Sequence, residues 1–163
     1  MEIKLYDIKE NNNGMPILEI EKKINYKVNG KFSDPADTIK ALCQLTEMEK
    51  KYTESFYIAV YDIFKQLIGF FQIASGGRNQ VQYSKKIIAT AIILTGASYF
   101  KAFHNHQING CEASEADIMS LYDLKHLGDV LETECTGSFI ITRDSFCEIS
   151  DSSKDILYEL GLK

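Results

Sequence analysis

Several features that assign a chain quickly to a class are missing here. The four cysteines, Cys43, Cys111, Cys135 and Cys147, lie far apart and form no C-x-x-C pair. In a domain of this size that spacing reads as reduced thiols, not as a disulfide framework. Basic residues are not in excess: 18 Lys plus Arg stand against 23 Asp plus Glu, a formal net charge of -5. Non-specific binding to nucleic acid or to an anionic membrane draws on a basic surface, so the charge supports neither partner, although it leaves room for a local basic patch. The longest apolar-rich stretch, Ile87 to Leu94, falls far short of the ~20 residues that span a bilayer. The opening MEIKLYDIKENNNG alternates charge and holds no apolar h-region. That speaks against a secretory leader, and the expected setting is cytoplasmic. There is no internal repeat, and Gly76-Gly77-Arg78-Asn79 lacks the Gly-Lys-Ser/Thr ending of a phosphate loop.

What is present is the make-up of one ordinary globular domain. The chain has 163 residues, 45% hydrophobic and 25% charged. A chain of that length buries roughly 70% of the surface its unfolded form exposes, so it needs no metal or disulfide simply to fold.

Along the chain, residues 1–32 read as an N-terminal strand pair or a poorly ordered arm, with turn chemistry in ENNNGMP. Residues 33–163 read as the main domain. Ser33-Asp34-Pro35 opens a helix, with Ser33 or Asp34 as cap and Pro35 in the first turn, running to about Lys50. Phe56–Tyr61 and Leu67–Ala74 read as a hairpin buried on both faces. Residues 84–95 read as a buried helix, and Ser98–Phe103 as a strand. Ser114-Glu115-Ala116-Asp117 starts another helix, whose inner face carries Ile118, Leu121, Leu124 and Gly128. Phe139–Thr142 and Phe146–Ile149 form a closing hairpin, and Ser152 to Gly161 a short last helix. This alternation predicts a single α/β (α+β) domain with a central sheet flanked by helices.

The chemistry gathers around the strand end at His104-Asn105-His106. Side chains two apart on an extended chain point the same way, so both imidazoles can converge on one cation. Asp117 follows in the first turn of a helix, and the loop through Asn109 and Gly110 can fold back to bring its carboxylate beside them. Two His and one Asp leave one open position on a tetrahedral Zn2+, the arrangement of a catalytic rather than a structural zinc. A metal so held lowers the pKa of bound water towards ~7 and polarises a carbonyl. The plainer reading of any H-x-H is a surface or core pair. Here it is weighed against the strand end, the loop and the carboxylate at a helix start.

His104-x-His106, seven residues, Ser114, two residues and Asp117 together match the His-x-His-x7-Ser-x2-Asp pattern of JAMM (MPN-plus, JAB) metalloproteases. From about Phe56 to Ile149 the chain resembles the JAB domain of bacterial RadC-like proteins. The resemblance is carried by Leu67-Ile68-Gly69, Ser75-Gly76-Gly77, His104-Asn105-His106, Ser114-Glu115-Ala116-Asp117-Ile118, and Leu124 with Gly128. Ser33-Asp34-Pro35-Ala36-Asp37 is similar to the lead-in helix of short RadC-like proteins of mobile elements, a form without the helix-hairpin-helix region. The resemblance implies a JAB/MPN-type fold with a central mixed sheet, Zn2+ held by His104, His106 and Asp117, and Ser114 as oxyanion stabiliser and helix cap. It implies hydrolysis of an amide or isopeptide bond in a protein or peptide substrate. RadC-like proteins are often labelled DNA repair proteins, which the acidic composition does not independently support.

Three departures from the family pattern stand out. A gapless overlay puts the family's general-base Glu, on the second strand of the first hairpin, at Gln72. An amide there can position a water but cannot accept its proton, and a one-residue slip of register would turn Phe71 inward instead. No neighbouring acid is an obvious substitute, though Glu112, in the loop before Ser114, can approach the site. Gln107-Ile108-Asn109-Gly110-Cys111 replaces a Pro-rich loop and introduces a thiol that can fill the open metal position. Gly137-Ser138 stands where the family has Asp-His, removing a partner that would orient a ligand. Two functions therefore stay open: a zinc hydrolase using Ser114 and Gln72, or a silent JAB scaffold acting through protein–protein contact. The third histidine, His126, reads as surface.

Overall fold

The computed structural model describes residues 1–27, 32, 34–77, 82–107 and 110–150. The expected final helix from Ser152 lies outside the described residues, as does Ser33. Among the described residues the architecture is a seven-stranded mixed sheet, in the order β2-β1-β4-β3-β5-β6-β7, covered by three helices. The α/β expectation with a central mixed sheet is met.

The first strands, β1 (Glu2–Glu10) and β2 (Pro16–Asn25), form an antiparallel hairpin. Asn11 Oδ1 closes its turn by accepting from the Asn13 and Met15 amides, and Gly14 takes φ 73. The hairpin is part of the sheet: β1 runs parallel to β4 (Leu67–Ser75), pairing Leu5 with Phe70 and Tyr6 with Phe71. Outermost β2 carries Glu19, Glu21, Lys22 and Lys23, charge that discourages edge-to-edge pairing.

The helix α1 (Pro35–Thr46) is capped by Asp34, whose Oδ1 accepts from the Ala36 amide at 2.9 Å. It ends four residues sooner than the expected Lys50. Glu47 turns left-handed at φ 51, and one 3-10 turn, Met48–Lys50, drops Met48 into the core. Ile39, Leu42 and Leu45 pack with Tyr57, Ala59, Phe70 and Phe103 on one face of the sheet.

On the other face lie α2 (Lys85–Thr95) and α3 (Glu115–Val130). Ile88, Ala91, Ile92 and Leu124 pack there with Phe56, Ile58, Val60, Phe71 and Ile73. The expected buried helix α2 is an outer layer: it hides one stripe through Ile88, Ala91 and Ile92, and Ile93 is 66% exposed. The central strand β3 (Ser55–Tyr61) is buried at every residue, between β4 and β5 (Tyr99–Asn105). Beyond β5 come β6 (Glu134–Ile141), parallel to it, and the three-residue β7 (Phe146–Glu148). Among the described residues no helix is long and apolar enough to cross a membrane.

At Gly128, α3 passes against the turn that leads into β6. A Cβ there would stand 2.4 Å from the Thr133 carbonyl oxygen, a backbone atom with no rotamer to yield. Gly→Ala inside a helix ordinarily stabilises by up to ~1 kcal/mol. Here the clash wins, because the Thr133 amide is also bound to Gly128 O at 2.9 Å and holds that carbonyl in place. Gly128→Ala should cost about 2 kcal/mol net and lower Tm by roughly 4–8 °C in thermal melts.

Candidate metal centre

The sheet registers determine what meets at the site. Directly opposed residues on neighbouring strands share a face, and faces alternate along each strand. Phe56 of β3 opposes His104 of β5, so both lie on the α2/α3 face. Their rings run parallel, with centroids 6.3 Å apart and planes at 11°. Tyr83 stacks on Phe56 at 4.4 Å and ties the stack to α3 through its Oη, 2.7 Å from Ser120 Oγ. His106 lies one residue past the end of β5 and is anchored by its amide to Ile141 O of β6 at 2.9 Å.

Asp117 arrives from the first turn of α3. Ser114 is the N-cap of that helix, and the two residues form a reciprocal capping box. Ser114 donates its amide (2.8 Å) and its hydroxyl (2.6 Å) to Asp117 Oδ2, while Ser114 Oγ accepts from the Asp117 amide at 3.3 Å. The carboxylate is therefore aimed before any cation binds.

The three predicted ligands come together. Asp117 Oδ1 lies 2.9 Å from His104 Nε2, and Oδ2 lies 3.4 Å from His106 Nε2. The two Nε2 atoms are 3.1 Å apart. Ligands at ~2.0–2.1 Å around a tetrahedral Zn2+ stand about 3.3 Å from one another. The donor set thus fits a single cation with little rearrangement, and these are the residues that could hold one.

Electrostatics agree with the geometry. Burial alone would raise the Asp117 carboxyl, but hydrogen bonds from His104, His106 and Ser114 outweigh it and hold the group well below the usual carboxylate range. The bond to Asp117 raises the His106 pKa above its ordinary 6.5, against the opposing effect of burial. A proton on His106 therefore competes with metal. In the metal-free protein zinc uptake should release that proton, and affinity should weaken about tenfold per pH unit below the raised value. Zinc titrations between roughly pH 6 and 8 measure this.

Gln72 is not brought to the centre. It opposes Tyr57, whose hydroxyl donates to Gln72 Oε1 at 3.0 Å, so its side chain lies on the α1 face. Phe71 faces the imidazole side, as in the shifted register considered above. Beyond it, a bulge around Ile73 pairs Phe56 with Ala74. The Phe71–Gln72 stretch borders a separate cleft of about 420 Å3 between β1 and the start of α2. Cys111 does not join the ligands either: its Sγ lies 3.5 Å from Ser145 Oγ, beside Cys147, whose thiol it pushes up by hydrogen bonding. Glu112 and His126 are exposed. Gly137 adopts φ 153, a conformation that disfavours an Asp at this position, and Ser138 opposes Ala102.

One further carboxylate beside the imidazoles was not singled out from the sequence. Glu54 lies two residues before Phe56 and therefore on the same face; extending the β3–β5 ladder by two residues sets it across from His106. Its carboxyl is half-buried, and burial pushes its pKa up, against the fields of His106 and His104 that pull it down. A Glu at a strand start was visible in the sequence. The pairing of β3 with β5, which places it, was not.

A His-x-His at a strand end and an Asp at a helix start, drawn together on one face of a mixed sheet, define an α/β domain with a candidate mononuclear metal centre. The chain belongs to the RadC-like JAB domain family, whose model matches residues 32–154. The β1–β2 hairpin lies before that match. Comparison with curated proteins gave no match.

Proposed function

We propose that the chain is a zinc-dependent hydrolase of amide or isopeptide bonds in a protein or peptide substrate, with Glu54 as its general base. The observation that carries this reading is the half-buried Glu54 carboxylate on the same face as His104, His106 and Asp117, with its pKa raised by burial. A zinc ion held by two imidazoles and a carboxylate activates water and polarises a carbonyl. Glu54 takes the proton of the attacking water and returns it to the leaving amine, a task suited to a carboxyl whose pKa is shifted towards neutrality. Ser114 keeps Asp117 aimed through its amide and hydroxyl; to serve the oxyanion, the hydroxyl proton now donated to Asp117 Oδ2 would have to turn to the developing charge while the Ser114 amide keeps hold of the carboxylate. The silent-scaffold alternative rested on Gln72 at the base position and on Gly137-Ser138; the first ground weakens because Gln72 belongs to the opposite face.

The test is turnover against a panel of fluorogenic peptides and isopeptide-linked conjugates, before and after metal removal by a chelator. Hydrolysis lost on chelation and restored by Zn2+ supports the proposal. Stoichiometric zinc without turnover on any member of the panel opposes it and favours an interaction module.

A further inference from the structure

The ladder between β3 and β5 stops at Phe56 opposite His104. The next rung would pair Ser55 with Asn105, and there a side chain replaces the backbone. Asn105, wholly buried, accepts from the Ser55 amide at Oδ1 (2.7 Å) and donates through Nδ2 to the Thr53 carbonyl at 3.2 Å. Those two contacts bracket Glu54 on its β5 side. The alternation that sends His104 and His106 to the metal face sends the residue between them the other way, beneath the start of β3. On its β4 side Glu54 is held by backbone bonds alone, its amide to Gly77 O at 3.1 Å and its carbonyl from the Gly76 amide at 2.8 Å.

The geometry points to Asn105 as a positioning residue: one buried amide locks the backbone on both sides of Glu54 to the strand that carries both imidazoles, and so sets the distance between base and metal. This rests on the reading of Glu54 given above. The middle residue of His-x-His is then neither a spacer nor a ligand. Its effect on catalysis runs entirely through Glu54.

The probe is cobalt(II) loaded in place of zinc, because its visible absorption bands report groups around the open coordination position without any substrate. The variants are Asn105→Ala, Asn105→Asp, Glu54→Gln and the Asn105→Ala/Glu54→Gln double. Expected first is faster hydrogen exchange of the Ser55 amide in N105A, by about tenfold, from loss of one buried hydrogen bond. Glu54→Gln should shift the cobalt bands, Asn105→Ala should shift them in the same sense, and the double variant should match E54Q alone. Zinc affinity of N105A should stay within about threefold of wild type, far less than the 10–100-fold cost of removing a group that orients a ligand. Asn105→Asp keeps the acceptor for Ser55 and loses the donor to Thr53. It should fall between the two, and it carries the test if N105A does not fold.

Bands shifted by E54Q and unmoved in N105A would overturn the clamp and leave Glu54 in its place at the metal. A band shift in N105A that persists undiminished in the E54Q background would also overturn it, since Asn105 would then act on the imidazoles directly. Bands unmoved by E54Q itself would remove the Glu54 reading and the clamp together.

Discussion

Glu54→Gln should leave one zinc per chain in place and lower turnover by about 10²–10⁴-fold, the usual cost of removing a positioned acid/base. The substitution is nearly isosteric, so the backbone bonds to Gly76 and Gly77 and the Asn105 contacts on either side persist. What is lost is the capacity to take a proton. Steady-state kinetics beside metal analysis separate the two roles: an unchanged zinc content with a fallen kcat marks a base, and a fallen zinc content marks a ligand. Gln72→Glu is the paired control. It adds a carboxylate beside the Tyr57 hydroxyl, on the face away from the imidazoles, with Lys51 Nζ 2.6 Å from the same hydroxyl to meet the new charge. Turnover should be unchanged in Gln72→Glu. A gain there, with no loss in Glu54→Gln, would transfer the base role to the second strand of the first hairpin.

His104→Ala should reduce bound zinc from one per chain to a negligible level, measured by elemental analysis of protein purified in parallel with wild type. Removing one of three protein ligands is worse than removing a group that merely orients one, and the latter already costs 10–100-fold in affinity. His104 is also a buried ring lying parallel to Phe56, so the variant leaves space next to that aromatic ring. The metal-free variant should be less stable at neutral pH as well. The Asp117 carboxyl is held below its unfolded value partly by His104. A depressed carboxyl contributes stability above its unfolded pKa of ~3.9 that is lost as pH falls through the folded value. His104→Ala removes part of that contribution, and a pH series of thermal melts should show the gap to wild type narrowing in acid. Equal, negligible zinc in both proteins would leave the metal centre without support.

Much of the site could be read from residue spacing because it is local. The capping box joining Ser114 to Asp117 is an i, i+3 relation, and the shared face of His104 and His106 is an i, i+2 relation. Both follow from the geometry of one element. The Asp34 cap of α1 was legible for the same reason. The early stop at Glu47 was not, since it depends on a single left-handed residue that lets Met48 reach the core. Gln72 and Glu54 mark the larger limit. Which of them faces the imidazoles depends on which strands are neighbours and on a bulge around Ile73, and neither leaves a trace in a single chain. Counting without gaps along the hairpin led to Gln72, which the structure pairs with Tyr57 on the face away from the imidazoles.

The capping box has a consequence for how the cation enters and leaves. Its hydrogen bonds close the α3 start on itself, and they require nothing from a metal. In many small metal-binding modules the ion arrives at a coil and must drive the whole ordering transition. Here the local ordering at the α3 start needs no ion, so a stripped chain should stay folded. Reloading should then be paced by the encounter with the ion and the departure of one proton, complete within the mixing time of a stopped-flow instrument, with no slow refolding phase behind it.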